Sequence, residues 1–152
     1  MRKPNVLFLC TGNSCRSIMA EALLRRRAGE RFDVYSAGTD PKGINPLATK
    51  VLEEIGIDTS GLRSKPVTEY LGKLPCHFVI VVCDSANETC PRIFPGMRER
   101  LFWPFDDPPA FQGTDEEKLN KFREVRDAID VRIKEWLATY AKSDDCRKPR
   151  II

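Results

Sequence analysis

The sequence predicts an α/β chain built on an open parallel sheet. Three observations carry that expectation. Short, continuous apolar runs alternate with segments of helical periodicity. The order strand, helix, strand implies a parallel pair joined by a right-handed crossover. At 152 residues the chain has room for one such core and not for a second.

The elements follow in order. Asn5-Val6-Leu7-Phe8-Leu9-Cys10 is an apolar run stopped by Thr11-Gly12-Asn13-Ser14, so a buried strand enters a tight loop. A helix is expected from Ser17, with Ile18, Met19, Ala22, Leu23 and Ala28 inward and Arg25 to Arg27 and Glu30 outward. Phe32 to Ala37 is the second strand, ended by Gly38. Pro46 to Ile55 is the next helix, closed by Gly56. Thr68 to Leu71 adds a helical turn, His77 to Cys83 a third strand, and Arg100 to Phe105 a fourth. A closing helix spans Asp115 to Ala141, with Leu119, Phe122, Val125, Ile129, Ile133, Trp136 and Leu137 as its core stripe. The whole is a flavodoxin-like open parallel sheet of four strands with helices on both faces. It forms a single domain over residues 1–142, followed by a loose tail, residues 143–152, in which Cys146 has no assigned role. In such sheets ligands bind beyond the carboxyl ends of the strands, where the loop after Cys10 falls.

Composition narrows the function. Lys plus Arg exceeds Asp plus Glu by only three (25 against 22), too even for bulk nucleic-acid binding. The apolar run Phe78 to Cys83 is far short of the roughly 18 residues a membrane span requires, and Met1 to Asn5 leads straight into a strand. The expectation is a soluble, cytoplasmic, monomeric protein whose six cysteines, at 10, 15, 76, 83, 90 and 146, are thiols. Their C-x4-C and C-x6-C spacings, and a single histidine, His77, inside a strand, do not suit zinc, so neither metal nor cofactor is expected. Cys15 and Cys76 read as packing residues.

Cys10-Thr11-Gly12-Asn13-Ser14-Cys15-Arg16-Ser17 has the pattern C-x5-R-S between a strand and a helix. A tetrahedral oxyanion requires converging donors, and this turn aims backbone N–H groups and the positive helix end at one point. Gly12 allows the sharp bend. Arg16 can grip two oxygens in its planar fork, and its charge, with the Ser17 hydroxyl, would stabilise a Cys10 thiolate. Downstream, Asp106 and Asp107 lie in a stretch stiffened by Pro104, Pro108 and Pro109; either carboxyl could serve as a proton donor.

Through Cys10 to Ser17 and Asp107-Pro108 the chain resembles the low-molecular-weight protein tyrosine phosphatase superfamily. Within it the chain is most similar to thioredoxin-coupled arsenate reductases, through Met19-Ala20-Glu21, Val34-Tyr35-Ser36-Ala37-Gly38, Cys83, Cys90-Pro91 and Phe105-Asp106-Asp107-Pro108. The resemblance implies that Cys10 attacks the oxyanion and that the aspartate directly before proline, Asp107, protonates the leaving oxygen. It also implies a relay in which Cys83 attacks Cys10 to release arsenite, Cys90 attacks Cys83, and thioredoxin reduces the product. The electron count agrees, because arsenate reduction requires two electrons and two thiols forming one disulfide supply them. Were residues 84–89 helical, the Cys83 and Cys90 Cα atoms would stand about 10 Å apart, beyond disulfide reach, so that bond would require unwinding. The implied ligand is arsenate, phosphate or sulfate.

Two other functions compete. A phosphatase hydrolysing phosphomonoesters uses the same cradle, as main or side activity, but Pro109 stands where such phosphatases carry an aromatic. A non-catalytic oxyanion or redox sensor would have no use for an acid at Asp107. In some of the reductases a potassium ion lies beneath the loop, on groups matching Asn13, Glu21 and Ser36 and on a carboxylate aligned with Lys65. Here the resemblance implies either an ammonium in place of the ion or a plain surface lysine.

Overall fold

The computed structural model of the protein describes residues 3–70, 72, 73, 75–83 and 97–147, with side chains as far as residue 140. Four strands, β1 (Asn5–Cys10), β2 (Asp33–Gly38), β3 (Phe78–Val81) and β4 (Glu99–Phe102), form one sheet in the order β2-β1-β3-β4. All pairings are parallel, as the strand–helix–strand order predicts. Three helices, α1 (Arg16–Ala28), α2 (Pro46–Glu53) and α3 (Asp115–Arg147), pack around it, and short 3-10 turns occupy Val67–Glu69 and Pro108–Ala110.

β1 and β3 are buried on both faces, which explains why their sequences are continuously apolar rather than alternating. The register sets Cys10 opposite Gly38 and Leu9 opposite Val81, so the carboxyl ends of the strands finish together at one rim of the sheet. The opposite rim is closed by Phe32, Phe78, Trp136 and Tyr140, whose rings meet at centroid distances between 5.2 and 6.3 Å. The carboxyl rim carries the loop between β1 and α1.

Several boundaries differ from expectation, each for a local reason. Phe32 N–H donates to the Ala28 carbonyl at 3.0 Å, so Phe32 finishes the α1 turn and β2 begins one residue later. β4 stops at Phe102 instead of Phe105, because Trp103 makes the last rung, to Val81 at 2.8 Å, and Pro104 has no N–H to offer. β3 covers Phe78–Val81, shorter at both ends than His77 to Cys83. α2 is capped by the Asn45 side chain, which accepts from Leu47 N–H at 2.9 Å, and unwinds after Glu53 into Gly56 at φ 84°. α3 begins with a reciprocal capping box: Glu117 N–H donates to Thr114 Oγ1 (3.1 Å) and Thr114 N–H to Glu117 Oε1 (2.8 Å). It continues through Arg147, so residues 143–147, expected as the start of a loose tail, are helical; nothing before Pro149 breaks the chain.

The anticipated stripe of α3 is the one that packs. Phe122, Val125, Ile129 and Ile133 are buried, and Leu119, Trp136 and Leu137 are partly buried against the core. A charged residue completes this contact: buried Arg126 donates to the Val51 carbonyl at 2.8 Å and to Glu54 at 3.2 Å, joining α3 to α2. His77 is a satisfied structural residue, its Nδ1 accepting from Asn5 N–H at 2.9 Å.

Candidate active site

The loop from Cys10 to Ser17 lies at the carboxyl rim between β1 and α1. Its conformation is set by what happens to its carbonyls. The segment after β2 runs alongside it, and Thr39, Asp40, Lys42 and Asn45 N–H groups donate to the carbonyls of Cys10 (3.3 Å), Thr11 (2.8 Å), Gly12 (2.9 Å) and Ser14 (2.9 Å). With the acceptors drawn outward, the Asn13 N–H turns inward and donates to Cys10 Sγ at 3.2 Å. Gly38 is required for this close approach: a Cβ there would stand 2.5 Å from the Thr11 carbonyl oxygen. No described side chain caps the N-terminus of α1, and its first turn holds no acid, which leaves that helix end suited to an anion.

Beneath the loop, a chain of hydrogen bonds runs from Glu21 to Cys10. The Glu21 carboxylate only accepts, so Ser36 Oγ donates to it. Ser36 Oγ therefore accepts from Asn13 Nδ2 (3.0 Å), which also donates to Ser17 Oγ (2.8 Å). Asn13 Oδ1 accepts Lys65 N–H at 2.8 Å, confirming the amide's orientation. Ser17 Oγ, which accepts from Asn13, lies 2.9 Å from Cys10 Sγ, a contact in which either atom can donate; toward a Cys10 thiolate the hydroxyl is the donor. Asn13 holds this position at φ 45°, in the left-handed region, where asparagine is tolerated better than most residues.

Lys65 is not a surface lysine. It is 3% exposed, and its Nζ lies 2.5 Å from the Arg63 carbonyl, 3.4 Å from Ser36 Oγ and 3.6 Å from Glu21 Oε1. Burial pushes its ammonium below the usual lysine value, and Glu21 opposes that shift. A potassium ion on Asn13, Glu21 and Ser36 does not fit these residues, because a cationic donor with no lone pair already stands among them.

The second sulfur of the site is Cys83, just past β3. It is buried, accepts Thr11 N–H at 3.3 Å and lies 3.6 Å from Thr11 Oγ1. Thr11, the residue next to Cys10, thus holds it at the edge of the loop. The nearby Cys83 side chain, then burial, holds the Cys10 thiol well above its ordinary value, while Ser17 draws it down. Two sulfurs so close cannot both ionise cheaply. Cys15 is buried in the core cluster, 3.8 Å from Ser14 Oγ, and burial raises its thiol too. Cys76 is buried at the far rim, its thiol pushed up to about 11. Cys90 lies outside the described residues, as does the segment 84–89.

Arg16 joins the cradle to the acid loop. Its Nη1 donates to the Phe105 carbonyl at 3.1 Å and its Nη2 lies 3.4 Å from Asp107 Oδ1. Its Nε is buried with no hydrogen-bond partner among the described residues, a donor of the kind an oxyanion satisfies. Asp106, the rival carboxylate, faces the other way and accepts from Lys121 Nζ at 2.9 Å. The structure thus brings together Cys10, Thr11, Asn13, Arg16, Ser17, Cys83 and Asp107. It adds the backbone of the strap from Thr39 to Asn45, which no motif in the chain announces, and the Phe105 carbonyl.

Residues 5–145 match the low molecular weight phosphotyrosine protein phosphatase family. The chain belongs to that family. Among its relatives it is 46% identical to an arsenate reductase of Halalkalibacterium halodurans over 139 residues, spanning 91% of this chain and 99% of the other. It is 42% identical to the arsenate reductase of Bacillus subtilis over 140 residues, with the same coverage. A solved thioredoxin-dependent arsenate reductase of Corynebacterium glutamicum superposes with a TM-score of 0.70 at 32% identity, over 93% of this chain and 63% of that one. An arsenate reductase in a phosphate-binding state superposes with a TM-score of 0.74 at 29% identity, over 90% of this chain and 98% of the other.

Since Cys83 is the foremost cause of the raised Cys10 thiol, Cys83→Ala should lower the apparent pKa of Cys10. A titration of thiolate absorbance with pH, Cys10→Ser serving as the blank, should show the transition shifted to lower pH. An unmoved or higher transition would mean that Cys83 does not raise the Cys10 thiol.

Proposed function

We propose that this protein reduces arsenate to arsenite by a relay of Cys10, Cys83 and Cys90, with thioredoxin as the electron donor. The observation that carries the reading is a second buried sulfur, Cys83, held by Thr11 beside the nucleophile in the oxyanion cradle. Hydrolysis of a phosphate ester uses one thiolate and a water, whereas reduction by two electrons uses a second thiol. Relatives of nearly equal length named arsenate reductase support the substrate, and the Corynebacterium glutamicum neighbour supports thioredoxin.

In the proposed chemistry the loop N–H groups and Arg16 hold three oxygens of arsenate. Cys10 Sγ forms a bond to arsenic, and one As–O bond breaks as Asp107 gives its proton to the departing oxygen, which leaves as water. Cys83 Sγ then attacks Cys10 Sγ. A sulfur–sulfur bond forms, the sulfur–arsenic bond breaks, and its electron pair stays on arsenic, which departs as arsenite. Cys90 attacks Cys83 in turn and frees Cys10; its part rests on the family resemblance. Such a cycle operates in a reducing compartment, consistent with a cytoplasmic protein. Lys65 and Glu21 keep Asn13 and Ser17 oriented without a metal ion.

Two outcomes test this reading. Cys83→Ser should still form the Cys10 adduct with arsenate but should not turn over with thioredoxin, whereas Cys10→Ser should abolish arsenate reduction and any phosphatase side reaction together; sustained turnover of Cys83→Ser would defeat the relay. Exchange of potassium for sodium at constant ionic strength should leave both the reduction rate and the melting temperature unchanged, and potassium-specific activation would show that Lys65 does not replace the ion.

A further inference from the structure

The acid loop carries two adjacent carboxylates, and two different cations hold them. Asp107 is drawn to Arg16 at the cradle, 3.4 Å from Nη2. Asp106 is drawn to Lys121, which reaches it from the second turn of α3 at 2.9 Å and also binds Glu124 at 2.7 Å. Asp107 has extended backbone angles, and along extended chain successive side chains project to opposite sides. Pulling Asp106 toward α3 therefore turns Asp107 toward Arg16. The lysine is the fixed partner: its side chain is 18% exposed and rooted in a long helix, while that of Asp106 is 74% exposed. Two further contacts hold the same loop, the Phe105 carbonyl on Arg16 Nη1 and buried Pro108. Neither of them discriminates between the two carboxylates. Lys121 also keeps the Asp106 carboxyl below the ordinary carboxylate range, first through its hydrogen bond and then through its charge, so Asp106 stays ionised and is a poor proton donor.

We propose that Lys121 is a positioning residue for the acid loop: by holding Asp106 against α3 it makes Asp107 the carboxylate that faces the oxyanion cradle. The inference rests on Asp107 being the proton donor in arsenate reduction.

The test is single-turnover arsenate reduction by the reduced full-length protein, read as the rate at saturating arsenate and the half-saturating concentration. Lys121→Met should lower the saturating rate about two- to fivefold, the scale of a partly exposed ion pair, and leave half-saturation unchanged. Lys121→Arg should recover most of the loss. Asp106→Asn, an exposed change that releases the same contact from the loop side, should reproduce the loss of Lys121→Met even if the lysine variant folds poorly. In an Asp107→Asn background, itself slowed by about 10² or more, Lys121→Met should do no further harm. A harmless Lys121→Met and Asp106→Asn beside a damaging Asp107→Asn would overturn the role of Lys121 and leave the acid in place. An equal fractional loss from Lys121→Met with or without Asp107 would overturn it too. A harmless Asp107→Asn would overturn the acid assignment, and the positioning role with it.

Discussion

The site depends on a backbone constraint more than on any single side chain. A loop can present successive N–H groups to one anion only if its carbonyls are occupied elsewhere, because each peptide unit carries both and a buried acceptor left unpaired is costly. Here the strand of chain after β2 takes the carbonyls of Cys10, Thr11, Gly12 and Ser14. The cradle is thus half made by residues with no part in the chemistry. The parallel pairing of β1 with β2 brings this strap into reach, since Cys10 is registered opposite Gly38 and both chains leave the sheet at the same rim.

Below that strap, the buried charges act through orientation. Glu21 and Lys65 lie under the loop, and neither touches Cys10 in any described contact. Their effect is to orient the Ser36 hydroxyl and the Asn13 amide, which in turn holds the Ser17 hydroxyl beside the sulfur. Burying an ammonium and a carboxylate is favourable only when both are paired and hydrogen-bonded. The Arg63 carbonyl, Ser36 and Arg25 complete those shells. What the arrangement secures is a single geometry for the loop, held before any oxyanion arrives.

Much of this was legible in the chain itself. The continuous apolar runs of β1 and β3 and the stripe of α3 follow from burial on defined faces, so periodicity finds them. C-x5-R-S found the loop because its chemistry demands those residue types at contiguous positions. The strap was not legible: its work is done by backbone N–H groups, and backbone is indifferent to the side chains of Thr39, Asp40 and Lys42. The choice between Asp106 and Asp107 was likewise closed to the residues alone, since it turns on a lysine fourteen or more positions away on another element. Lys65 carries no local mark of burial, and only the fold sets it beside Glu21. Strand and helix ends moved where a proline withdrew a donor or a left-handed glycine closed a turn, effects that here shift a boundary by two or three residues without changing the topology.

The central claim is that Cys10 and Cys83 form a two-electron pair in one oxyanion site. Its most direct test is stoichiometric: fully reduced protein is given arsenate with no thioredoxin, arsenite and remaining thiols are counted, and the disulfide is located by peptide mapping. The account predicts about one arsenite per chain, about two thiols lost, and Cys83 in the disulfide formed. Arsenite released with every thiol intact, or a disulfide that joins Cys10 to Cys15 and leaves Cys83 reduced, would contradict it.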